Sequence, residues 1–132
     1  MKALSIRQPW AWLIAEAYKN VENRTWGTSY TGPLAIHASG RRDAAEIAAA
    51  RRWVRDRAGL VIPADADLKY GGFVAVADLW TTFEAGHPLA ANVWFEGPVG
   101  WFLRDARRIT FTPAPGRLGL FEAPANLQEA AA

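Results

Sequence analysis

The chain has 132 residues, with 15 Lys+Arg against 13 Asp+Glu and no cysteine. That length fits one domain able to bury roughly two-thirds of its unfolded surface. The missing cysteines exclude disulfides, thiolate metal sites and a cysteine nucleophile. Two histidines, His37 and His87, are too few for a histidine-rich metal centre, so neither metal nor cofactor is expected. No apolar run is long enough to span a bilayer, and Met1–Arg7 lacks the apolar centre of a secretory signal. A soluble, cytoplasmic protein without membrane attachment is the expectation.

In chain order, Lys2–Arg7 alternates apolar and polar residues and reads as a strand. Pro9 opens a helix to Tyr18, with Trp10, Leu13, Ile14 and Ala17 at helical spacing. Val21–Trp26 and Pro33–Ala38 read as strands on either side of the turn cluster Gly27–Gly32, which predicts a hairpin over residues 21–38. Asp43–Ala58 is rich in alanine and arginine and predicts a helix stopped by Gly59. Residues 60–71 read as a loop, Gly72–Trp80 as the clearest strand, and Thr82–Val93 as a loop around Gly86-His87-Pro88. Val99–Leu103, Arg107–Phe111 and Leu118–Glu122 complete the strands; from Ala123 the chain is expected to fray or form a short helix. About six short strands with two or three helices, and no βαβ rhythm, predict an α+β fold: a small mixed β-barrel flanked by helices.

Two biases concern function. Twelve of the 15 basic residues are arginine, which forks onto phosphates and stacks on rings. Seven tryptophans are also present. Most should fill the core, Trp12, Trp53, Trp80 and Trp94 among them; Trp10 and Trp26 flank the most polar strand and are candidates for stacking on a base. On that strand Glu22 and Arg24 share a face, Lys19 precedes them, and Thr25 follows on the opposite face. Such a cluster is either a structural ion-pair group or a binding site. On the second helix Arg41, Arg51, Arg52 and Arg55 fall within an arc of about 100°, suited either to tracking a phosphate backbone or to plain solvation. Ser39 follows a strand end, where with Arg41 it could extend the site or cap the next helix. His37, in an apolar strand, reads as a hydrogen-bonded structural residue and His87 as a loop residue. No phosphate-cradling, nucleophile-elbow, zinc-helix or dinucleotide motif is present.

Ala3-Leu4-Ser5-Ile6-Arg7-Gln8-Pro9-Trp10, Lys19-Asn20-Val21-Glu22-Asn23-Arg24-Thr25-Trp26, Gly97-Pro98-Val99-Gly100-Trp101 and Gly116-Arg117-Leu118-Gly119-Leu120-Phe121 together resemble the ASCH domain family. Its GxKxxExR hallmark reads here as residues 17–24, with Ala17 in the glycine's place. The resemblance implies a single domain over residues 1–124 with a tail at 125–132, and a PUA-like β-barrel with a cleft beside the first helix. It implies binding of RNA or a modified nucleobase in that cleft, lined by Lys19, Glu22 and Arg24. With the residues singled out above, the candidate site for single-stranded RNA or a modified nucleotide is Lys19, Glu22, Arg24, Thr25, Trp26, Trp10, Ser39, Arg41, Arg51, Arg52 and Arg55. Some relatives hydrolyse RNA or deacylate N4-acetylcytidine, so an enzyme using Lys19 and Glu22 on the same cleft is the alternative. The amidohydrolase branch uses a threonine nucleophile, and Glu22 stands in its position. A protein-interaction module of a transcription or translation assembly, using an exposed tryptophan patch, is the third possibility.

Overall fold

A computed structural model describes residues 1–130. The elements run β1 (Lys2–Ile6), α1 (Trp10–Ala15), β2 (Val21–Arg24), β3 (Gly32–Ala38), α2 (Ala44–Ala58), β4 (Gly72–Glu84), β5 (Val99–Pro113) and β6 (Phe121–Glu122). Short 3-10 turns lie at Asp65–Asp67 and Pro88–Ala91. The strands form one mixed sheet in the order β2-β5-β4-β3-β1-β6, with β1 and β3 parallel and the other pairs antiparallel.

The sheet's spine is the long β4–β5 hairpin. Its register slips between Phe73 and Ala75, Val76 and Asp78, and Leu79 and Thr81, and Asp105 is left-handed at φ 52°. Such bulges bend and twist a strand pair, which lets the hairpin curl around the core. The expected pair of strands at 99–103 and 107–111 is therefore one strand bent in its middle. The expected 21–38 hairpin does not form either. β2 pairs with β5 (Glu22 opposite Trp101, Arg24 opposite Val99), while β3 sits between β4 and β1.

Nor does the sheet close into a barrel. β6 is only two residues long and covers Lys2 and Ala3 alone. Further along β1, a side chain from the opposite sheet edge takes the place of a strand: Arg24 Nη2 of β2 donates to Ser5 O at 2.6 Å. The α+β class with six strands and two α-helices matches expectation; the closed ladder does not.

Both faces of the sheet are covered. Leu4, Ile6, Leu34, Ile36, Leu79, Trp101 and Leu103 form the inner core with Ala11 and Ile14 of α1. Leu13, Val21 and Val54 join Ile62, Leu68, Phe83 and Trp94 in a second cluster beneath α2. That helix starts where Asp43 Oδ1 accepts from the Ala45 and Glu46 N–H groups and stops at Gly59 in the left-handed region (φ +68°). Ile47, Ala50 and Val54 are its buried face. On the other side of the sheet Ala3, Ala35, Phe73, Val76 and Ile109 are covered partly by Phe121 and Leu127. The end of the chain accordingly does not fray or coil into a helix through residue 130. Thr110 N–H donates to Gln128 O at 2.8 Å, and Ala130 N–H to Arg108 O at 3.1 Å. Residues 131–132 of the expected tail lie outside the described residues.

Candidate nucleotide-binding cleft

The site begins with a backbone turn. α1 ends after Ala15, and Ala17 adopts φ +63° even though it carries a Cβ. The Tyr18 and Lys19 N–H groups both donate to Leu13 O at 3.0 Å, which reverses the chain and sends the Lys19 side chain inward. β2 then sets Glu22 and Arg24 on one face, as strand alternation requires.

The three charges meet. Lys19 Nζ lies 3.0 Å from Glu22 Oε1, also donates to Val21 O, and sits 5.6 Å from the centre of the Trp10 ring. Glu22 Oε2 accepts from Arg24 Nε at 3.2 Å and lies 3.1 Å from Nη2. Exposure rises along the trio, from 4% of the Lys19 side chain through 11% of Glu22 to 24% of Arg24. A carboxylate has about four lone-pair sites. Oε1 accepts one hydrogen bond, from Lys19, and Oε2 accepts one, from Arg24 Nε, while Arg24 Nη2 is turned to Ser5 O; each oxygen keeps acceptor capacity. Among the described residues no partner is found for Arg24 Nη1.

The trio floors an open cleft of ≈ 1010 Å³. One wall is aromatic. The Trp10 and Trp53 rings meet edge to face at 5.9 Å, and Trp53 and Trp94 lie tilted, also at 5.9 Å; all three line the cleft. Asn23 staples the adjoining lip, its Oδ1 accepting from the Glu96 and Gly97 N–H groups and its Nδ2 donating to Trp94 O. Arg7 bridges to α2 by gripping both Glu46 oxygens at 3.1 Å. Buried His37 donates through Nε2 to Ala114 O at 2.7 Å and accepts through Nδ1 from Ser5 Oγ at 3.0 Å. This fits its structural reading, although the ring also borders the cleft.

Of the residues proposed from sequence, Trp10, Lys19, Glu22, Arg24 and Ser39 line the cleft. Thr25 is exposed outside it, and Trp26 packs edge to face on Trp101 at 4.9 Å, its own carbonyl accepting from the Trp101 indole. The arginine arc on the second helix breaks up. Arg41 precedes the helix and lies near Asp43 and Glu46. Arg51 turns to Ile62 O and Asp65, pinning the 59–71 loop, and Arg55 pairs with its neighbour Asp56. Arg52 stays exposed. Trp53 and Trp94, read as core rather than ligand contacts, serve both core and cleft wall, and Trp80, read the same way, is 54% exposed beneath the Arg104 guanidinium. Sequence spacing missed Asn23, Arg7, Glu96, Arg117 and Leu118 as lining residues. Arg7 and the 116–121 run stood inside the quoted motifs, and that was their only signal.

The model of the family described as the ASCH domain matches residues 4–109. The chain belongs to that family. The match runs from β1 into β5 and encloses the Lys19–Arg24 motif, the aromatic wall and α2. The six-stranded mixed sheet agrees with a PUA-like fold, and ASCH membership is consistent with an RNA-binding domain. The chain is also similar to mouse activating signal cointegrator 1, with 40% identity over 58 residues, 41% of this chain and 10% of that protein. It thus spans about a tenth of that relative's length. Among the described residues no helix is long and apolar enough to cross a membrane.

Proposed function

We propose that this ASCH domain binds RNA by taking a nucleotide of a single strand, or a modified nucleotide, into the cleft above Lys19, Glu22 and Arg24. The observation that carries the reading is the joining of that charged floor to the Trp10–Trp53–Trp94 wall in one cleft. Its volume suits a ligand of nucleotide size. A ring face offers a base about 1–3 kcal/mol of stacking, whatever its sequence. The floor's spare hydrogen-bonding capacity is the remaining acceptor sites on the Glu22 carboxylate and the N–H groups of Arg24 Nη1. A base edge with an exocyclic amine beside an acceptor ring nitrogen, as in cytosine or adenine, complements that pair.

The alternative of an enzyme asks Lys19 to stabilise developing negative charge and Glu22 to act as a general base through water. Each is already engaged, Lys19 by a carbonyl, a carboxylate and a ring, Glu22 by two cations. Binding uses the floor as it stands, and this favours the binding reading over a ribonuclease or an N4-acetylcytidine amidohydrolase. The protein-interaction reading draws on another surface, the exposed Trp80 under Arg104, and on a relative whose name describes a signal cointegrator.

Titration of fluorescein-labelled short RNAs tests the binding reading. Oligo(C) or oligo(A) is expected to bind more tightly than oligo(U), with affinity falling as salt rises. Arg24→Ala is expected to weaken binding about tenfold, and Trp80→Ala to leave it unchanged. Binding indifferent to Arg24→Ala and sensitive to Trp80→Ala would move the activity away from the cleft.

A further inference from the structure

The run Gly116-Arg117-Leu118-Gly119 lies beyond the matched family region and lines the same cleft as Trp94 and Glu96. Its base is fixed. Ala114 N–H donates to Gly71 O at 3.1 Å, and Ala114 O accepts from His37. Gly116 lies so close to His37 and Ser5 that a Cβ there would fall 2.9 Å from His37 Cε1 and from Ser5 Oγ. His37 is buried and held at both ring nitrogens, so it cannot yield. Glycine is the residue that lets the strap seat on it.

The tip of the strap is the opposite case. Leu118 is 99% exposed, although an apolar side chain gains nothing from water. Four cationic residues line the cleft: Arg7, Lys19, Arg24 and Arg117. The first three are paired with Glu46, Glu22 and Glu22 in turn. Arg117 is exposed and has no carboxylate or hydrogen-bond partner among the described residues, so its guanidinium is the uncommitted cation of the cleft lining.

We infer that Arg117 and Leu118 form a clamp on the bound nucleotide, Arg117 gripping the phosphate and Leu118 covering the sugar or base. The site would then select a phosphorylated, backbone-linked nucleotide over a free nucleoside. This rests on the reading of the cleft as an RNA site, and the test separates the two.

Wild type, Arg117→Ala, Leu118→Ala and the wall variant Trp53→Leu would be titrated with one fluorescein-labelled eight-nucleotide oligo(C) RNA between about 50 and about 200 mM salt. Because Arg117 and Leu118 are exposed, their variants fold as wild type does, which circular dichroism checks. Arg117→Ala is expected to weaken binding about fivefold at the lowest salt and to flatten the slope of log affinity against log salt by about 0.7. Leu118→Ala is expected to weaken it about threefold with the slope unchanged. Binding that depends on Trp53 but shows wild-type affinity and slope in both strap variants would overturn the clamp and leave the cleft standing. No RNA binding by wild type, or binding indifferent to Trp53 and Arg117 alike, would overturn both.

Discussion

The floor of the cleft and the outer face of α2 carry the same kinds of side chain in opposite physical situations. Lys19, Glu22 and Arg24 are drawn from water and satisfy one another, whereas Arg52 and Arg55 stand in solvent, Arg55 beside a carboxylate one residue away. Attraction between charges is strong where water is excluded and nearly lost where it is not. Removing one member of the buried group strands the others, while an exposed arginine leaves nothing behind. A charge count along the sequence weights the two regions alike; their environments set them apart.

The largest effect is expected at the centre of the floor. Glu22→Ala leaves the Lys19 ammonium, 4% exposed, without its carboxylate and Arg24 without its fork. The loss of stability is expected to be about 3 kcal/mol, seen as a fall in Tm of roughly 10 °C in thermal unfolding. A fall below about 2 °C would mean that water reaches the trio freely.

A smaller effect of opposite sign is expected at the turn that delivers Lys19 to the floor. Ala17 pays for its left-handed conformation through its Cβ. Ala17→Gly removes that strain at some cost in unfolded-chain entropy, and a net stabilisation of about 0.5 kcal/mol is expected in urea unfolding. Destabilisation would show that the turn carries no strain.

Smaller still are the exposed charges. Arg52→Ala and Arg55→Ala are each expected to change stability by less than about 0.5 kcal/mol and RNA affinity by less than about twofold. Tenfold weakening by either would make the helix a backbone track and erase the contrast between it and the cleft floor.

The surface pair Lys2–Glu122, which ties β6 to β1, sets the lower limit. Its hydrogen bond and charge attraction raise the Lys2 ammonium above its ordinary pKa and hold the Glu122 carboxyl below its own. The lysine's contribution is therefore complete at neutral pH and lost as pH rises through its raised value. The glutamate's is likewise complete at neutral pH and lost as pH falls through its lowered value. Comparing wild type with Lys2→Ala across pH should show a difference only between those limits, shrinking with added salt. A difference that persists in acid would contradict the pairing.

The strand alternation of Glu22 and Arg24 and the helix over 43–58 were legible because each rests on local spacing and local caps. The pairing of β2 was not legible. A turn-rich segment between two strands suggests a hairpin, but β5, remote in sequence, supplies a longer edge and wins. The open seam was hidden for a related reason, since it follows from β6 being two residues long and from one guanidinium reaching Ser5 O. Trp53 and Trp94 look like core residues in sequence because they are core residues; only the assembled fold shows that their other faces border the cleft. The arginine arc assumed that Arg41 is helical, and the Asp43 cap places it outside.

The central claim, that RNA enters the cleft over the Lys19–Glu22–Arg24 floor, is tested most directly by the tryptophan indole N–H resonances in a two-dimensional NMR titration with short oligo(C) RNA. The Trp10, Trp53 and Trp94 signals are expected to move together and saturate together while Trp80 stays in place. Movement of Trp80 with the three cleft indoles unchanged would contradict it.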